Sequence, residues 1–135
     1  MNKWIIAYLA AGAVFLIGDM AWLTLMGTRL YRPDLGALLG DKVRAAPAVA
    51  FYLLYLVGVV AFGVAPGIRS GDWTRSLLWG AAFGLIAYAT YDLTNQATMK
   101  VWSTRVTLAD MGWGALLSGA ASAAGCFAAL AAVRR

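Results

Sequence analysis

Leu77-Leu78-Trp79-Gly80-Ala81-Ala82-Phe83-Gly84-Leu85-Ile86-Ala87 carries no charge, and Tyr88-Ala89-Thr90-Tyr91-Asp92-Leu93-Thr94-Asn95-Gln96 follows it directly. The first run reads as the body of a membrane helix. The second brings a carboxylate, a hydroxyl and two amides within five residues. Hydrocarbon penalises each such group by several kcal/mol unless it finds a partner. Ionisable groups placed there mark a functional site more often than they serve packing.

The rest of the chain agrees with a membrane setting. Of its 135 residues, 62% are hydrophobic and only 13% charged, where a soluble domain carries about a quarter charged. Mean hydropathy is +0.73. One all-α domain over residues 1–135 is expected, a polytopic bundle of four transmembrane helices with no room for a soluble catalytic domain. There is no His, the single cysteine is Cys126, and all six acidic residues are Asp. With no His or Cys cluster a zinc or haem site is not expected, and a single cysteine excludes an intrachain disulfide. The net charge of +5 sits in short loops, which points to membrane-flanking charge and not to nucleic acid.

Working outward, spans are expected over about residues 4–28, 45–64, 75–98 and 107–133, each able to cross about 30 Å of hydrocarbon. Lys3 and the apolar run after it also fit a signal peptide, with Ala11-Gly12-Ala13 as a cleavage site. The run continues well past that point, so an uncleaved helix is expected. The first loop, Arg29 to Arg44, is long for a helix hairpin, and Pro33 to Leu39 reads as a short interfacial helix. Pro66-Gly67 should stop the second span. Small residues four apart, Gly114, Ser118 and Ser122, with Gly80 and Gly84 on the third span, predict close packing within the bundle; a dimer seam is the rival. Lys and Arg number five on the side of the termini and six on the side of loops one and three, so loop charge leaves orientation open.

Asp19, Asp92 and Asp110 fall at or within spans, each nearest the end facing loops one and three. They are expected at a shared depth. Asp92, Asn95, Gln96 and Met99 lie on one helical face; so do Asp19, Trp22, Leu23 and Met26, and Asp110, Trp113 and Gly114. If the faces meet, they form an acidic pocket. Its charge must then be neutralised by protonation or by Lys100 or Arg105 reaching in. Asp92, Asn95 and Asp19 are the catalytic candidates. Trp22, Tyr88, Tyr91, Thr94, Gln96, Lys100, Asp110 and Trp113 are the candidates for substrate contact. Asp110 equally suits the N-cap of the last helix. Trp4, Trp73, Trp79 and Trp102 read as interfacial anchors. Asp34, Asp41 and Asp72 read as solvated loop residues.

The runs Gly80-Ala81-Ala82-Phe83-Gly84-Leu85 and Tyr88-Ala89-Thr90-Tyr91-Asp92-Leu93-Thr94-Asn95 resemble the DUF2177 family of small bacterial membrane proteins. So do Asp19-Met20-Ala21-Trp22-Leu23, Phe51-Tyr52-Leu53-Leu54-Tyr55, Lys100-Val101-Trp102-Ser103 and Asp110-Met111-Gly112-Trp113-Gly114. The resemblance covers nearly the whole chain. It implies a multi-pass protein of the bacterial inner membrane and supplies no mechanism.

Three functions remain open on the residues themselves. One is an enzyme, or an enzyme's partner, acting on a membrane lipid or isoprenoid through a carboxyl that moves a proton. The second is a small proton-coupled transporter working as an oligomer, with Trp22 and Trp113 as cation–π walls. The third is a structural or assembly subunit bound to another membrane protein. No cofactor is expected, although three carboxylates could hold Mg²⁺ through oxygen.

Overall fold

The computed structural model describes residues 2–135. Four helices account for almost all of them: α1 (Lys3–Leu38), α2 (Ala45–Ser70), α3 (Trp73–Thr98) and α4 (Thr104–Val133). They pack as a bundle, and no strand occurs among the described residues. α1, α2 and α4 are each long and apolar enough to cross a membrane. α3 matches α2 in length at 26 residues, but its polar final turns dilute its hydropathy.

The expected limits of the spans need correction at several points. α1 does not end near Thr28. It passes through a wide π turn at Gly27–Tyr31, an α turn at Arg32–Leu35 and a tight 3₁₀ turn at Gly36–Leu38. The interfacial helix expected at Pro33 is thus the end of α1, not a separate element. Likewise Pro66 does not stop α2. A π segment at Val59–Val64 precedes it, and the helix resumes over Ala65–Ser70. Proline lacks an N–H and would clash in a regular α turn; the wider turn just before it absorbs that misfit.

The ends have clear local causes. Asn2 accepts a bond from the Trp4 N–H at 2.8 Å and starts α1. Gly71, with φ +70°, closes α2 in the left-handed conformation that suits glycine. Asp72 then caps α3 by accepting from the Thr74 N–H at 2.9 Å and the Thr74 hydroxyl at 2.6 Å. The second loop therefore shrinks to a two-residue turn. Ser103 caps α4, accepting from the Val106 N–H at 3.0 Å. Asp110 is not that cap: it lies well inside α4 and is buried.

α3 and α4 pack most extensively, and α1 lies along α4. α2 joins chiefly through its π segment. A Cβ added at Gly84 would come within 2.1 Å of the Gly114 carbonyl oxygen, and one at Gly80 within 2.3 Å of Ser122 Oγ. The small residues of α3 and α4 therefore face each other inside one chain, as van der Waals packing in lipid requires.

Candidate functional site

α1 and α4 meet through a clasp at one end of the bundle. Pro33 cannot donate to the carbonyl of Arg29, one helical turn back. Arg105 Nη2 bonds that carbonyl instead at 3.2 Å. The same guanidinium grips Asp34, Nη2 to Oδ1 at 2.8 Å and Nε to Oδ2 at 3.0 Å. Ser103 adds a third bond to Asp34 at 2.7 Å. Asp34 is thus a paired residue and not a free loop charge.

The π turn beside the clasp aims Tyr31 inward. Its hydroxyl donates to Asp110 Oδ1 and accepts from the Trp22 indole N–H at 2.8 Å. Trp22 stacks on Trp113 with centroids 4.6 Å apart and planes 7° off parallel. Trp113 in turn reaches Asp19 Oδ1 at 3.5 Å, and the Tyr52 hydroxyl donates to Asp19 Oδ2 at 2.5 Å. A connected chain of aromatic donors therefore holds two carboxylates in place.

Asp92 completes the group differently. It is wholly buried, and no protein donor reaches either of its oxygens. No hydrogen bond joins it to Asp110 or to any other side chain. A proton on Asp92 would remove the charge that such enclosure penalises. Tyr88 packs flat against Gly114, where an added Cβ would sit 2.3 Å from its ring. That glycine is what lets an aromatic ring lie between α3 and α4 beside the carboxyls.

Asp19 and Asp110 form part of the lining of a cavity of about 420 Å³ whose other walls are Phe51, Tyr55, Ala87, Tyr88 and Tyr91. Phe51 and Tyr91 are exposed at its rim, so it opens sideways between α2 and α3. The Tyr55 hydroxyl is paired with Ser118 Oγ at 2.8 Å. No Lys or Arg lines this cavity.

Several expected site residues lie elsewhere. Lys100 is exposed, and Arg105 faces the outside with Asp34, so neither enters the acidic group. Thr94 is exposed and bonds back to the carbonyls of Thr90 and Tyr91. Gln96 donates to Thr104 Oγ1 at 2.8 Å. Asn95 is half-buried but gives no bond to Asp92. These groups sit a turn nearer the end of α3, where the start of α4 offers its own polar partners. Trp22 and Trp113 buttress the carboxylates and do not line the cavity. Among the described residues, no group of three His, Cys, Asp or Glu side chains is arranged to hold a metal ion.

Tyr31, Tyr52, Tyr55 and Phe51 were not among the expected site residues. The run Phe51-Tyr52-Tyr55 offered a signal, since tyrosines inside a span need partners for their hydroxyls. Tyr31 offers none, because its place between Arg29 and Pro33 reads as loop.

No curated protein and no solved structure matches the chain. A family model described as a predicted membrane protein matches residues 4–127, and the chain belongs to that family, DUF2177.

Proposed function

We propose that the acidic group is a proton-transfer centre inside the membrane, acting on a lipid or isoprenoid that enters sideways between α2 and α3. The observation that carries this is Asp92, enclosed without a donor on α3 about one turn from Tyr88 and beside Tyr91, which wall the cavity together with Asp110. Asp110 would exchange a proton with the substrate, and Asp92 would store it. Tyr31 and Trp22 would hold the Asp110 oxygen in a fixed direction, so little reorganisation would accompany transfer. The apolar and aromatic walls suit a lipid chain, and their exclusion of water strengthens every charge interaction inside. In this proposal the chain crosses the bacterial inner membrane with the cavity mouth open to one leaflet.

The test is a lipid profile of a deletion strain complemented with wild type, Asp92→Asn or Asp110→Asn. Wild type should restore a lost or altered species, and both variants should fail although present at normal level. A deletion strain with unchanged lipids would end the proposal.

A second reading has its own support. Four aromatic walls around two carboxylates, with no basic side chain in the lining, also suit an organic cation exchanged for a proton. Uptake into proteoliposomes would then depend on a pH gradient and be lost in Asp19→Asn. Uptake indifferent to both would exclude it.

A further inference from the structure

A second groove lies on the same seam between α2 and α3, toward the opposite end from the acidic cavity. It holds about 640 Å³. Its floor is Ala61 and Ala82, and Phe62, Phe83 and Ile86 form apolar sides. Phe83 stacks on Phe62 at 5.6 Å and touches Tyr55 at 5.3 Å, so this aromatic row closes the groove off from the cavity above. At the other end, Arg69 from the last turn of α2 and Arg75 from the first turns of α3 both line it, with Trp79 beside them.

Two features identify the occupant. The first is charge. The ion pair between Arg105 and Asp34 is the sole one among the described residues, so neither Arg69 nor Arg75 is held in a salt bridge. Asp72, between them in sequence, binds Thr74 through Oδ1 and feels the Arg75 charge without forming an ion pair, so two arginines stand against one carboxylate at this end of the seam. The second is length. Arg75 to Ile86 spans roughly 16 Å along a helix at about 1.5 Å per residue. That is about half of a 30 Å hydrocarbon core, the depth of one leaflet. We infer that this groove binds an anionic phospholipid, its phosphate between Arg69 and Arg75 and one acyl chain laid along Phe62, Phe83 and Ile86 to the bilayer middle. Guanidinium suits the phosphate because it donates in a fork, and Trp79 belongs at the headgroup level. The groove ends where the acidic cavity begins, so it is a separate site and does not depend on the proton-transfer proposal.

The experiment is native mass spectrometry of the full chain in detergent, titrated with phosphatidylglycerol or phosphatidylcholine. Wild type should retain phosphatidylglycerol roughly tenfold better, since each basic residue near a membrane surface attracts anionic lipid appreciably. Arg69→Ala/Arg75→Ala should lose that preference. Arg134→Ala/Arg135→Ala, which removes equal charge at the same end but outside the groove, should keep it. Ala82→Trp, which fills the floor and spares both arginines, should weaken retention of both lipids. Each variant is first checked for helical circular dichroism and a single elution peak; Arg69→Lys/Arg75→Lys serves if the double alanine variant fails to fold, and should keep part of the preference. An unchanged preference in the alanine pair, or an equal loss in the Arg134/Arg135 pair, would overturn the site. So would indifference to Ala82→Trp, or full displacement of the lipid by glycerol 3-phosphate, which has the headgroup chemistry without the chain.

Discussion

At the scale of single residues, Asp92 separates a working site from packing glue. A buried polar group without a partner costs about 1–3 kcal/mol, and Asp92 has no protein donor. Asp92→Leu should therefore leave the melting temperature in detergent unchanged or raise it, while removing any activity. A fall of many degrees in a thermal-shift assay would show Asp92 to be structural. Asp19 should behave in the opposite way. It accepts from Tyr52 and Trp113, so Asp19→Ala leaves two donors without an acceptor and should lower stability. The two carboxylates look alike in sequence and differ in their neighbours.

At the scale of elements, α3 and α4 are held at a spacing that only small residues permit. Gly114 gives Tyr88 its place. Gly114→Val would drive a side chain into the ring, at a cost of about 1–3 kcal/mol for overpacking, and should reshape the acidic cavity before it unfolds the bundle. Quenching of Trp113 fluorescence, or loss of activity ahead of loss of helicity, would report it; a variant with native stability and activity would contradict it. The turn between α2 and α3 carries a pH dependence. The Thr74 hydroxyl, and then its backbone N–H, hold the Asp72 carboxyl below the ordinary carboxylate range. A depressed carboxyl contributes stability above its unfolded pKa, and that stability is lost as pH falls through the folded value. Hydrogen-exchange protection at the start of α3 should thus weaken below about pH 4, and Asp72→Ala should show the weak protection at every pH.

At the scale of the whole molecule, four antiparallel helices place both ends of the chain on one side. In a Cys126→Ala background, Ser70→Cys and Arg135→Cys should react with an impermeant thiol reagent from one face of the membrane, and Asp41→Cys and Lys100→Cys from the other. Reaction of Arg135→Cys and Ser70→Cys from opposite faces would mean that α3 does not cross. The sequence by itself determined the helical class, the number of helices and the three carboxylates worth watching. Apolar runs of sufficient length and the cost of bare polar groups in hydrocarbon are local properties, readable one segment at a time. It also marked Tyr88 and Tyr91, because they precede Asp92 by less than two turns. Only the tertiary structure decided that Tyr31 belongs to the site, that α1 and α2 continue through Pro33 and Pro66, and that Asn95, Thr94 and Gln96 face elsewhere. Those outcomes depend on which side chain from a distant helix arrives opposite a given turn. Arg105 answers the carbonyl that Pro33 frees, Tyr31 answers Asp110, and nothing answers Asp92. Pairings between residues 79 positions apart, such as Tyr31 with Asp110, leave no mark on the periodicity of either helix.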